Sequence, residues 1–178
     1  MRITAADLKA RVIGEGANLA LTQRARIDYA LAGGRINTDA VDNSAGVNSS
    51  DYEVNIKIAL GAAIANGSLA ARERNGFLAG MTDEVAALVL RNNKLQTLCL
   101  SLAEKRAAEE LGHDARVIAR FEARGELDRR LEFLPDAAQI RERERADRGL
   151  TRPELAVLMA YAKLILNEEL MAGGALDD

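Results

Sequence analysis

Between residues 155 and 166 every side chain except that of Lys163 is apolar, and this run constrains the fold more than any other feature of the chain. A bilayer-spanning helix needs about twenty apolar residues, so the run is too short to be one. No stretch of eighteen exists elsewhere in the sequence. A helix that is apolar around its circumference must be covered by protein, so the segment is predicted to sit at the centre of a helical layer, buried on nearly all sides. Its start is written into the preceding residues. Thr151-Arg152-Pro153-Glu154 has the form of a capping box, with proline in the first turn, where a missing N–H is harmless. Leu150 and Leu155 flank the cap as a hydrophobic staple.

Composition agrees with a mainly α fold. Six aromatics and two prolines in 178 residues, amid abundant Ala, Leu, Arg and Glu, favour helices over a β-sandwich or barrel. A chain of this length buries roughly 70% of its unfolded surface without a disulfide or metal staple. The lone cysteine, Cys99, excludes an internal disulfide framework, and the lone histidine, His113, leaves no Cys/His cluster for zinc. Net charge is −3. The stretch 106–152 looks basic, yet its eleven Arg are matched by eleven Asp and Glu. That interleaving describes solvated helix faces and argues against a nucleic-acid partner. The N-terminus lacks the form of a signal peptide, and with one free thiol the expected compartment is the cytoplasm.

Two regions differ in texture, 1–67 and 68–178. In the first, Thr4 is placed to cap a short helix through about Arg11, and Val12-Ile13 forms a short strand ending in Gly14-Glu15-Gly16. A helix from Thr22 to Leu31 is stopped by Gly33-Gly34, and Arg35-Ile36-Asn37 and Ala40-Val41 read as extended. This is β–α–β texture with a crossover long enough for one helix. Ser50-Asp51-Tyr52-Glu53 has the form of a capping box opening a helix that ends near Asn66-Gly67. Residues 68–178 are almost unbroken helical pattern. Thr82 opens a helix whose stripe runs through Val85, Leu88, Leu95, Leu98, Cys99 and Leu102, with Gly112 as its end. On that stripe Cys99 is expected to be a buried small hydrophobe, and His113 to lie in the turn beyond, near a helix C-terminus. Asn92, on the same stripe, is either an exposed break in the helix or a buried polar contact to a neighbouring domain.

Few residues suggest chemistry by themselves. Gly14-Glu15-Gly16 after a strand invites a dinucleotide-loop reading, but Leu19 stands where the third glycine belongs. Asp39, Asp42, Asp51 and Glu53 form the densest carboxylate group, without the spacing of a calcium loop, and no metal is expected. Asn37, Asn43, Asn48, Asn55, Ser44, Ser49 and Ser50 are concentrated in one segment. They serve either turn chemistry or the lip of a carboxylate-binding pocket at a helix N-terminus.

Longer motifs are specific. Val12-Ile13-Gly14-Glu15-Gly16-Ala17-Asn18-Leu19, the run from Gly33 through Val47, Met81-Thr82-Asp83-Glu84-Val85-Ala86, Glu132-Phe133-Leu134-Pro135-Asp136 and Leu150-Thr151-Arg152-Pro153-Glu154-Leu155-Ala156 together resemble the large bacterial NAD-specific glutamate dehydrogenases. The resemblance covers nearly the whole chain, in the final catalytic segment and the C-terminal helical region. It implies a mainly α piece of a longer enzyme: a small N-terminal β–α–β remnant of the dinucleotide-binding domain over 1–67, and a helical domain over 68–178. The parent reaction implied is L-glutamate and NAD going to 2-oxoglutarate, ammonia and NADH. The family's phosphate loop, catalytic lysine and catalytic aspartate are expected upstream, so no catalytic residue is expected here and the chain alone should be inactive.

Some roles follow from the resemblance residue by residue. Gly16-Ala17-Asn18 is similar to the motif at the nicotinamide side of glutamate dehydrogenases, which makes Asn18 a contact of the nicotinamide or its ribose. Ala20 and Leu21 stand where the family usually has Pro and Thr. Asn43-Ser44-Ala45-Gly46-Val47 resembles the Asn-Ala-Gly-Gly-Val of the smaller enzymes, placing Asn43 and Gly46 at the reacting centre and Val47 on the substrate's aliphatic stem. Ser50 matches the serine that binds the side-chain carboxylate of glutamate. The rival reading is non-enzymatic, a helical module for assembly or regulation. Either way the unpaired strand edges and apolar stripes suggest a homo-oligomer.

Overall fold

The computed structural model describes residues 3–16 and 20–173. It is mainly α, with one small parallel sheet near the N-terminus. Thr4 opens only a single 3-10 turn, Ala5–Asp7, rather than a helix to Arg11. Strand β1 (Val12–Ile13) leads by way of the glycine loop to helix α1 (Gln23–Leu31), whose N-cap Thr22 hydroxyl accepts from the Ala25 amide at 3.2 Å. Strand β2 (Arg35–Ile36) then pairs parallel with β1, Val12 opposite Arg35 and Ile13 opposite Ile36, as the β–α–β reading requires. The turn between them depends on glycine twice. Gly33 sits at φ 92°, and a Cβ on Gly34 would run into the ring of Tyr29. That ring is buried and its hydroxyl donates to the Ala10 carbonyl at 2.5 Å, pinning α1 against the strand.

Four expectations for the next elements are corrected. Ala40-Val41, expected extended, lies in a short helix α2 (Asp39–Asp42), because Thr38 takes the extended N-cap conformation and Asp39 enters the first turn. Helix α3 (Ser44–Ala65) starts six residues before the expected box, so Ser50 is mid-helix and caps nothing. The earlier start is held by Ser44, which is buried with its hydroxyl bonded to Asn93, and Glu53 pairs with Lys57 along the helix instead. The end at Asn66-Gly67 is as expected, with Gly67 at φ 79°. After α4 (Arg74–Gly80), helix α5 (Thr82–Lys105) begins at Thr82 but stops at Arg106, and α6 (Ala107–Ala123) carries Gly112 and His113 inside it. The break falls where Gly149 meets the backbone of Ala107 at a separation that leaves no room for a Cβ.

The C-terminal half of the stripe on α5 faces outward, against the expectation, while Val85 and Leu88 are partly buried. Leu95, Leu98 and Leu102 are about half exposed, and Cys99 is exposed rather than buried. The face turned toward α3 and the last helix, α8 (Arg152–Ala172), carries Val89, Asn92, Asn93, Gln96, Thr97 and Leu100. Its polar members have partners, which is why that face can be inside. Asn92 donates to the Tyr52 hydroxyl at 3.1 Å, so of its two readings the polar contact holds. Asn93 meets Ser44, and Gln96 accepts from Lys163 at 2.9 Å.

The main core gathers Leu100, Leu111, Ile118, Phe121 and the first half of α8. Residues 153–158 of α8 are all buried, but Leu164, Leu166, Leu170 and Met171 are exposed, so burial on nearly all sides holds only for its first two turns. Helices α1 and α5 pack there. Among the described residues no helix is long and apolar enough to cross a membrane.

The capping box is as expected and does more than cap. Glu154, with 0% exposure, accepts from the Thr151 amide and hydroxyl, both at 2.7 Å. It also receives a two-pronged bond from Arg143 at 2.7 and 2.8 Å, tying in helix α7 (Ala137–Arg145). Removing one partner leaves a buried charge uncompensated, so Arg143→Met is expected to cost about 3 kcal/mol in urea unfolding. One acid on α6 works against stability. The Asp114 carboxyl is pushed above its ordinary value, first by burial and then by Glu110, against the pull of His113, and its Oδ2 is buried without a bond partner. A carboxyl raised in the folded state contributes stability below its ordinary value and loses it as pH rises through the raised one. Asp114→Asn is therefore expected to raise Tm at pH 7, with the gain shrinking toward zero on acidification below the ordinary carboxylate range. Paired melts across that range check it.

Candidate functional site

Asn43, Gly46, Val47 and Ser50 are spaced i, i+3, i+4 and i+7, which places them on one face of the first two turns of α3. Asn43 closes α2 and precedes α3, with its side chain folded over the start of the helix. A Cβ on Gly46 would come within 3.0 Å of the Asn43 Oδ1, so glycine there leaves room for that carboxamide. Val47 and Ser50 are exposed. The helix presents an amide, a bare backbone stretch, an apolar side chain and a hydroxyl in a row, a set suited to a short ligand with an aliphatic stem and a polar end. Ser44, about 100° round the helix from Asn43, fixes the rotation of this face by its bond to Asn93.

Two others of the Asn/Ser group do local work. The Ser49 hydroxyl donates to the Ala45 carbonyl and the Asn55 side-chain Nδ2 to that of Asp51, both inside α3. The four clustered acids disperse. Asp39 lies 3.4 Å from Arg26, Glu53 pairs with Lys57, and among the described residues no group of three acids, His or Cys could hold a metal.

Beside the helix face lies the glycine loop. Asn18 falls within residues 17–19, outside the described ones, but both shoulders of the loop are defined. The Glu15 amide donates to Asp42 Oδ2 at 2.8 Å, and the Leu21 amide donates to Glu15 Oε1 at 2.8 Å. The Glu15 carboxylate, 3% exposed, is held by the equally buried Arg26 at 2.5 and 3.1 Å. A Cβ on Gly16 would meet nothing within 4 Å, so there is open space beside that residue. Asp42 thus joins loop and helix face: its carboxylate holds the loop, and the next residue is Asn43.

Sequence reasoning missed Arg26, Asp42 as a clamp, and Arg152. A buried charge pair between a loop and a helix has no periodicity to reveal it. The one available signal was Arg26 itself, a lone cation on the side of α1 that carries Ile27 and Tyr29 inward.

Comparison with known proteins shows the family. Residues 1–103 match the family model described as bacterial NAD-glutamate dehydrogenase, catalytic domain, and residues 147–178 match the one described as glutamate dehydrogenase, C-terminal. Over all 178 residues the chain is 48% identical to the NAD-specific glutamate dehydrogenases of Pseudomonas aeruginosa and of Halomonas elongata. Over 172 residues, 97% of the chain, it is 47% identical to that of Mycobacterium tuberculosis. In each case it spans about 11% of the relative's length.

Proposed function

The chain belongs to the bacterial NAD-glutamate dehydrogenase family, and from that premise we propose that it forms one wall of the active site of an NAD-dependent glutamate dehydrogenase. The parent reaction is oxidative deamination of L-glutamate to 2-oxoglutarate and ammonia, with NAD as the hydride acceptor. Asn43 and Gly46 line the reacting centre, Val47 packs on the substrate's stem, and Ser50 binds its distal carboxylate. Asn18, with the open space beside Gly16, meets the nicotinamide end of NAD. The chain supplies no catalytic residue in this reading. The cytoplasm is the proposed compartment, as befits an enzyme of amino-acid metabolism with a free exposed thiol. The observation that carries the proposal is the common face of Asn43, Gly46, Val47 and Ser50, joined through Asp42 to the glycine loop.

Ser50→Ala in the intact enzyme separates binding from folding. Mid-helix, the change removes no cap, and alanine's better helix propensity offsets the loss by about 0.5 kcal/mol. The expected outcome is a raised KM for glutamate with Tm unchanged or slightly higher. An unchanged KM would refute the substrate role.

The chain alone should neither oxidise glutamate nor bind NAD at micromolar concentration, because it holds only one edge of each ligand. Calorimetry with NAD checks this. We also propose that the isolated chain self-associates. Val12 is 66% exposed on a two-residue edge strand, and Leu90, Leu98 and Leu102 line the outer side of α5. Sedimentation is expected to show a dimer whose population grows with concentration. A 19.2 kDa species unchanged on tenfold concentration would favour the opposite conclusion.

A further inference from the structure

At the N-terminus of α8, three residues before Leu155, Arg152 leaves the C-terminal core and reaches the end of β2 in the N-terminal region. All three guanidinium nitrogens are used. Nε donates to Asn37 Oδ1, Nη1 to Ser101 Oγ at 3.0 Å and Glu104 Oε2 at 3.1 Å, and Nη2 to the Thr97 carbonyl at 3.1 Å. Its side chain is 16% exposed. Asn37, just past β2, passes the contact on. Its Nδ2 donates to Asp42 Oδ1 at 2.6 Å, and Asp42 Oδ2 accepts from the Glu15 amide at 2.8 Å. The chain of contacts runs Arg152, Asn37, Asp42, Glu15 and ends on the shoulder of the loop that carries Asn18.

We propose that Arg152 is a positioning residue for the nicotinamide end of the cofactor, acting through Asn37 and Asp42 on the glycine loop; the inference rests on the reading of that loop given above. Each link has a defined polarity. With Nε donating to its Oδ1, the Asn37 carboxamide is oriented so that its NH₂ faces Asp42. Asp42, with one oxygen taken by Asn37, keeps the other for the Glu15 amide. A lysine in place of Arg152 offers three donors from a single nitrogen and cannot span Asn37, Thr97 and Glu104 together. The C-terminal helical region thereby reaches the cofactor side of the site without touching ligand.

The test uses the intact dehydrogenase with Arg152→Lys, Asn37→Ala and Asn18→Ala, measuring KM for NAD, KM for glutamate, kcat, Tm and the deuterium isotope effect with glutamate labelled at its α-carbon. A misplaced loop is expected to lower kcat on the order of tenfold or more, since small errors in reacting geometry are costly. It should also raise KM for NAD and increase the isotope effect, while KM for glutamate stays within about twofold. Arg152→Lys and Asn37→Ala should share this pattern, with Arg152→Lys the milder because charge is kept. A purely structural role predicts a lower Tm or a smaller active fraction, with both KM for NAD and the isotope effect unchanged; that result overturns the proposal. So does a change in Arg152→Lys that Asn37→Ala fails to reproduce. If Asn18→Ala leaves KM for NAD and the isotope effect unchanged, the reading of the loop itself fails, and the inference with it. An effect of Asn18→Ala beside silent Arg152→Lys and Asn37→Ala rejects the relay alone.

Discussion

The C-terminal half of the molecule hangs on one carboxylate removed from solvent. Glu154 carries its charge at 0% exposure, a placement that is tolerable only because both oxygens are bonded, to Thr151 and to the fork of Arg143. The same pair of oxygens therefore starts α8 and holds α7 beside it. Once α8 begins at a fixed point, its first two turns place Leu155, Ala156, Val157 and Leu158 in the core. The start also aims Arg152 away from that core, toward α5 and the sheet. One turn of helix is thus a junction: Glu154 looks to the C-terminal helices and Arg152 to the N-terminal site.

Features written in short-range chemistry were legible from the residues. Thr22 caps α1, Thr151 and Glu154 form their box, and Val12-Ile13 pairs with Arg35-Ile36 across one helix. In each, the partners lie within a few residues or one crossover. What escaped was the sense of burial. Periodicity on α5 correctly marks Leu95, Leu98 and Leu102 as one stripe, but says nothing about which face the neighbours cover. Asn93 and Thr97 look like a solvent face, and Asn92 like a break in the stripe, until Ser44, Arg152 and Tyr52 are brought to them from 40 or more residues away. Ser50 shows the same limit in another form. Its box pattern is sound locally, but Ser44 and Asn93 start the helix earlier, and a residue already inside a helix has no free amides to cap. The positions of Asn43, Gly46, Val47 and Ser50 as candidates came from resemblance. Their common face follows from the helix being continuous through them.

The outward leucines have a counterpart on α3, where Val47, Val54 and Ile58 are each more than half exposed at helical spacing. An apolar side chain left in water forgoes roughly 1.5–3 kcal/mol of burial. Three such surfaces, on α3, α5 and the second half of α8, exceed the scattered exposure normal for a folded domain. Relatives about nine times as long offer ample protein to cover them. The α3 stripe continues directly from the proposed substrate face, with Val47 common to both.

Side-chain polarity, beside the β1–β2 ladder, holds the start of the glycine loop. Glu15, two residues past β1, pairs with Arg26, its amide donates to Asp42, and Asp42 in turn leans on Asn37. Charge-assisted bonds of this kind are directional and short, so a few of them define a position closely. Their cost is that each acceptor must be fixed by something else, and the last fixed point along the series is Arg152, itself clamped to α5 and rooted in the turn that Glu154 holds. Glu15, at the near shoulder of the loop, is thereby tied through Asp42, Asn37 and Arg152 to the first turn of α8, the helix whose first two turns are buried in the core.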